Sequence, residues 1–192
     1  MGSSSDSKVT GLESKRATMR LRDKENTMIQ VEITEDMKKR AWAKSREMGV
    51  IKNSIMNGDG NIAGFIGEEV ANVVIEGSIS NTYDYDIVDN DGTKYDVKTK
   101  RCTSKPKPYY DCSVANFNTK QQCDRYVFVR VENKNRRWGR AWVLGWLGHD
   151  EYFEKSRHLK KGQIDPSNNF VVRADCHNVA ISELNEFRRS KC

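Results

Sequence analysis

The residue types able to do chemistry crowd into one stretch. Asp84, Asp86, Asp96, Lys98 and Lys100 lie in two segments, Tyr83 to Val88 and Thr93 to Lys100, separated by Asp89-Asn90-Asp91-Gly92. Both segments alternate in polarity and are rich in Tyr, Ile, Val and Thr, which reads as two strands. A three-residue loop of Asn90, Asp91 and Gly92, with Gly92 in the left-handed region, makes the middle a type I turn with a bulge. Asp89 then faces Thr93, Asp86 faces Asp96, and Asp84 faces Lys98. Alternation places Asp84, Asp86, Asp96, Lys98 and Lys100 on one face. Tyr85, Ile87, Tyr95, Val97 and Thr99 take the other, towards the core. A two-residue Asp-Gly loop would slip the pairing by one residue and send the two carboxylates to opposite faces.

Opposed carboxylates repel, so a compensating charge is expected beside them. Mg²⁺ suits hard oxygen ligands, keeps several waters and takes only one or two carboxylates. Lys98, two residues past Asp96 on the same face, could hold an attacking water or neutralise charge building on a phosphate. Together these are the parts of metal-assisted phosphodiester hydrolysis. The bland alternative is an exposed hairpin with a solvated polar face.

Other elements must position this hairpin. Met28 to Ile33 alternates as a short strand. A helix follows from Thr34, capped by Thr34, with Glu35 and Asp36 at its positive end and Gly49 as its stop. It is basic on much of its surface, the pattern of a solvated face, with DNA contact the rarer alternative. Ile51 to Asn61 reads as a loop. The next helix spans about 61–76, with Ile62, Phe65, Ile66, Val70, Val73 and Val74 as its apolar stripe. Gly64 and Gly67 imply close packing there. On a helical wheel Glu69 falls inside the stripe and Glu68 beside it, and a carboxylate near a buried face needs a partner. Past the hairpin, Tyr109 to Asn116 reads as a strand and Asn118 to Asp124 as a short helix. Arg125 to Glu132 and Trp138 to Leu147 are apolar enough for central strands. His149 to Lys161 reads as a basic helix, Phe170 to Ala174 and Val179 to Ile181 as short strands, and Ser182 to Arg189 as a closing helix.

The chain has 192 residues, a net charge of +6 and 31% charged residues. That length suits one domain with a real core over 27–192, centred on about 61–147, behind a flexible arm over 1–26. No stretch approaches the roughly 18 apolar residues of a membrane span. A mildly basic balance suits an anionic partner such as nucleic acid. The five cysteines form no CxxC pair and follow no signal-peptide block, so they read as reduced thiols of a cytoplasmic protein, and no zinc site is expected.

In order, these pieces are a helix bearing Gly67-Glu68, a strand ending at Asp86, a hairpin, Asp96-Val97-Lys98, a strand, a helix and two strands. That order resembles the PD-(D/E)xK nuclease superfamily over about 64–147. It looks most like the small phage and bacterial members with an Asp-Val-Lys-Thr-Lys strand. The resemblance implies a restriction-endonuclease-like fold, an α/β mixed central β-sheet flanked by α-helices. It implies that Asp86, Asp96 and the Val97 carbonyl bind one or two Mg²⁺ ions, with Mn²⁺ as a substitute. Glu68 would complete the metal site and Lys98 would serve the nucleophilic water or the transition state. The superfamily favours Glu68 over Glu69, and that choice is followed. Its proline before the first aspartate is absent, with Tyr85 in its place. Gln122 to Tyr126 fits the Gln-xxx-Tyr motif of RecB-like members, with Gln121 adjacent.

The expected activity is therefore that of a Mg²⁺-dependent DNA endonuclease, with duplex or branched DNA as partner. Lys100 and Arg101, with Lys105 to Lys107, would take flanking phosphates. A homodimer would suit cutting both strands. A bacterial or phage-infected cytoplasm is the expected setting. The competing expectation is a non-catalytic nucleic-acid-binding or assembly protein on the same scaffold.

Overall fold

In the computed structural model the described residues are 28–48, 59–80 and 82–187. The arm expected over 1–26, most of the 51–61 loop and the basic tail beyond Phe187 lie outside them. In chain order the elements are β1 (Ile29–Glu32), α1 (Glu35–Met48), α2 (Asp59–Ile75), β2 (Ser78–Ile79), β3 (Ile87–Val88) and β4 (Lys94–Cys102). β5 (Asp111–Ala115), β6 (Arg125–Lys134), β7 (Arg137–Gly148), α3 (His149–Lys155), β8 (Arg157–Leu159) and β9 (Cys176–Ala180) follow. Six strands make a mixed sheet in the order β1-β7-β6-β4-β3-β2, in which β4 and β6 run parallel. A second, antiparallel sheet has the order β5-β9-β8.

The two faces of the large sheet are covered differently. On one face α2 lays Ala63, Ile66, Val70 and Ala71 on Ile87, Tyr95, Val97, Val127 and Val129. α1 packs behind α2, its start capped by Thr34 Oγ1, which accepts the Met37 N–H at 3.3 Å. On the other face Tyr126, Phe128, Trp142 and Leu147 meet Cys112, Val114 and Val179 of the small sheet and Tyr152 of α3. The protein is thus mixed α/β, with helices covering one face and a small sheet plus one short helix covering the other.

Three expected helices give way on that second face. The segment read as helical from His149 to Lys161 stops at Lys155, because β8 leaves to pair with β9. The closing helix expected from Ser182 is a single 3₁₀ turn at Ile181–Glu183. Asn185 then exchanges backbone hydrogen bonds with Trp146 at 2.8 and 2.9 Å. The helix expected from Asn118 is a 3₁₀ turn at Asn116–Asn118. The strand expected at Phe170 to Ala174 is one bridge, Val171 to Ile164. At Arg157–Leu159 and at Asn185, pairing with distant strands overrides local propensity.

The hairpin follows the three-residue loop. Gly92 has φ +83° and its N–H donates to the Asp89 carbonyl at 3.1 Å, while Asp89 N–H donates to the Thr93 carbonyl at 3.1 Å. Val88 pairs with Lys94 and Ile87 with Tyr95, the register this loop requires. The rival two-residue loop is excluded. Beyond Ile87 the ladder slips. Asp86 N–H donates to the Tyr95 carbonyl at 2.8 Å, one residue short of the partner that the count would give it. The strand peels away there, so Asp84 never comes opposite Lys98.

Candidate functional site

The slip at Asp86 builds the site. With β3 gone, the edge of β4 at Val97 has no backbone partner from that side. The Asp86 carboxylate takes the place instead, accepting the Val97 N–H at 2.7 Å. A residue's N–H and C=O leave a strand on the same side, so the Val97 carbonyl also points towards Asp86.

Asp96 is 3% exposed and sits one residue away, on the face towards the small sheet. Its Oδ2 lies 2.5 Å from Lys98 Nζ, yet without the alignment of a hydrogen bond, so this buried oxygen is left with an ionic contact alone. Its Oδ1 accepts from Gln121 Nε2 at 3.3 Å. Lys98 Nζ donates to Gln121 Oε1 at 2.9 Å and lies 5.7 Å from the centre of the Tyr126 ring. Gln121 also donates to the Tyr83 carbonyl at 2.8 Å. One buried amide thus ties together the acid, the base and the segment leading to Asp86.

Glu68, on α2, is buried and receives Lys44 Nζ of α1 at 2.5 Å. Burial raises its pKa, and Lys44 opposes that rise. Asp86 is pushed well above the ordinary carboxylate range, first by burial, then by the negative charges of Asp96 and Glu68. Three acids therefore repel one another across a poorly solvated gap, with Lys98 and Lys44 as the nearby cations. Asp86, Asp96 and the Val97 carbonyl are the oxygen donors able to serve a hard cation. Among the described residues no three Asp, Glu, His or Cys side chains converge as a ready ligand set.

Glu68 rather than Glu69 is the acid at the sheet. Glu69 turns to α1, where Arg40 grips it with contacts of 2.7 to 3.0 Å. The wheel misleads because Val73, counted in the apolar stripe, is 51% exposed, while Ala63, Gly67 and Ala71 face the sheet. Phe65 faces α1 instead, under the Lys44 ammonium at 4.8 Å.

The remaining expected residues scatter. Asp84 accepts the Gln122 N–H at 3.2 Å. Tyr85, expected with Ile87 and Tyr95, packs with the cluster on the opposite face. Gln122 is exposed, its amide donating to the Lys120 carbonyl at 3.1 Å, so the glutamine at the cluster is its neighbour Gln121. Arg101 is exposed and, by alternation, on the face opposite Lys100. Although Lys100 as a residue is exposed, its ammonium turns in to β5, donating to Ser113 Oγ at 2.6 Å and approaching the Asp111 carbonyl at 3.4 Å. Burial lowers its pKa, and the charge of Arg130 adds to the effect.

Sequence reasoning missed Gln121 and Lys44. The signal for Gln121 was the doubled glutamine before β6, and for Lys44 a basic helix face taken as solvated. Cys123 also lies close, its thiol pushed up to about 12 by burial and the Asp96 charge.

No family model matches the chain, and no curated protein matches it. Among the described residues no helix is long and apolar enough to cross a membrane.

Proposed function

We propose that the protein is a metal-dependent phosphodiesterase of the PD-(D/E)xK type on a restriction-endonuclease-like scaffold, acting on nucleic acid. The observation that carries this is the cluster of mutually repelling acids beside Lys98, in which Asp96 pairs with Lys98 and Glu68 with Lys44 while Asp86, among the described residues, has no cation in contact with it. Such a group is expensive to hold unless a cation compensates it. The donors fit Mg²⁺, being all oxygen and offering two carboxylates and a carbonyl, with water for the rest.

When bound, the cation would polarise a phosphate oxygen and activate water. Asp86, Asp96 and the Val97 carbonyl would hold it. Lys98 stands where it can orient the attacking water or meet charge on the phosphate. Gln121 keeps the Lys98 ammonium beside Asp96. Glu68 is held back by Lys44 and acts from a second rank, through water or through its charge.

A non-catalytic nucleic-acid binder on the same scaffold draws support from the lack, among the described residues, of a converged three-ligand set. Incubating supercoiled plasmid and single-stranded circular DNA with Mg²⁺ or with EDTA separates the readings. Metal-dependent cutting that disappears in Asp96→Asn and Lys98→Gln, both verified as folded, supports catalysis. Cutting that survives both substitutions, or no cutting of either substrate, rejects it.

A further inference from the structure

A row of cations runs from the acids into a gap between the two sheets. Lys98 and Lys100 are two residues apart on one face of β4, about 6.6 Å along the strand. The register sets Arg130 of β6 beside Lys100. A cavity of about 190 Å³, lined by Lys98, Lys100 and Arg130, opens there. It shares Lys100, Arg130 and Asp111 with a recess of about 370 Å³ whose other walls include Tyr109, Tyr110 and Phe170.

Lys98 is paired with Asp96, but the other two charges in this gap are not cancelled. Among the described residues neither Lys100 nor Arg130 pairs with a carboxylate. Arg130 donates to the Asp111 carbonyl at 2.7 Å, while the Asp111 carboxylate is taken by Arg157 at 2.8 Å, Ser167 at 2.9 Å and Asn168 at 3.1 Å. The aromatics at the mouth are open: Tyr109 is 67% and Phe170 51% exposed. Each is braced, Tyr109 edge-on against Tyr110 at 5.1 Å and Phe170 under Arg173 at 5.5 Å. A cationic track joined to exposed rings is the design of single-strand binding, in which phosphates follow the charges and unpaired bases stack on the rings. In a duplex the base faces are already stacked within the helix and cannot reach such a recess.

We infer that the Tyr109–Phe170 recess takes an unpaired base of a single-stranded nucleic acid, whose phosphates run along Arg130, Lys100 and Lys98 to the acids. This rests on the phosphodiesterase reading for its direction but not for its chemistry of binding. It replaces the expected duplex partner with a strand that is single, at least where it enters the site.

The test is fluorescence anisotropy of labelled oligo(dT), oligo(U) and a blunt duplex in EDTA, where no metal-dependent cutting interferes. One or both single strands should bind about tenfold or more tighter than the duplex, and the stronger of the two tells DNA from RNA. Tyr109→Ala and Phe170→Ala should each weaken that binding by roughly 5- to 160-fold, with Tyr109→Phe and Phe170→Tyr restoring it. Lys100→Gln should flatten the salt dependence by about 0.7 in log–log slope. Equal binding of duplex and single strands, or alanine variants within twofold of the parent, overturns the inference. Ring-dependent binding without Mg²⁺-dependent cutting keeps the inference and removes the phosphodiesterase reading. Cutting with ring-independent binding does the reverse.

Discussion

Gly67 is the point at which α2 touches β4, one residue before Glu68 and against the neighbour of Lys98. A Cβ at Gly67 would lie 1.9 Å from Thr99 Oγ1 and 2.8 Å from both Thr99 Cβ and Cγ2. Turning the threonine rotamer moves two of those atoms but not Cβ, so the helix itself must lift. Overpacking of this kind costs about 1–3 kcal/mol, and this overlap belongs at the upper end. Replacing a mid-helix glycine by alanine returns about 1 kcal/mol of propensity. Gly67→Ala should therefore destabilise by about 2 kcal/mol, lowering Tm by roughly 4–8 °C in a domain of this size. Gly64→Ala, on the same helix, is the control. Nothing lies within 4 Å of its added Cβ, so only the propensity gain remains and Tm should rise by roughly 2–4 °C. Adding Thr99→Ala to Gly67→Ala removes two of the three contacts and should recover about 1 kcal/mol in a double-mutant cycle. Thermal and urea melts of these three variants and of Thr99→Ala alone read this directly. If Gly67→Ala is as stable as Gly64→Ala, the helix is not seated on β4 and the placement of Glu68 fails with it.

Asp86→Asn should stabilise the metal-free protein at neutral pH while removing Mg²⁺-dependent activity, since the amide can still accept the Val97 N–H. The folded-state pKa of Asp86 is raised, so its ionised form opposes folding. The gain from the asparagine should be full above that raised pKa, shrink as pH falls and vanish below the ordinary carboxylate range. Melts in EDTA across pH check this, and an Asn variant less stable than the parent at neutral pH contradicts it. Gln121→Ala should cut activity strongly and destabilise by about 1–3 kcal/mol, because Lys98 and Asp96 lose their shared partner. Gln122→Ala should leave both nearly unchanged, and equal effects would refute the assignment. Tyr152→Phe should cost about 1–3 kcal/mol in urea melts, since its hydroxyl accepts the Val114 N–H at 3.1 Å and shares its one proton between the His177 carbonyl at 2.6 Å and the Cys112 carbonyl at 3.0 Å. An unchanged midpoint would mean that α3 is not tied to the small sheet in this way.

What could be read from sequence was whatever short-range geometry decides. Asn90-Asp91-Gly92 sets its own loop type, and with it the register of β3 and β4. Alternation then correctly puts Asp96 and Lys98 on one face. The count fails where the ladder slips at Asp86, because that depends on a side chain replacing a backbone partner, which no local pattern announces. The wheel failed at Glu68 because α2 is covered on two sides, by the sheet and by α1, so its apolar residues do not form one stripe. Of the second sheet, β5 and the end of β9 were legible as short strands, but β8 and the pairing of the three were not. β5, β8 and β9 are short and distant in sequence, and two of the segments around them have helical composition. Gln121 was separable from Gln122 only once the turn before β6 had set which of the two faces inward.

The central claim is that the repelling acids are held for a divalent cation. Its most direct test is anomalous scattering from Mn²⁺ soaked into crystals of the protein. The account predicts a peak coordinated by Asp86 and Asp96, next to the Val97 carbonyl, that is lost in Asp96→Asn. Full Mn²⁺ occupancy at unrelated surface carboxylates, with none between Asp86 and Asp96, would contradict it.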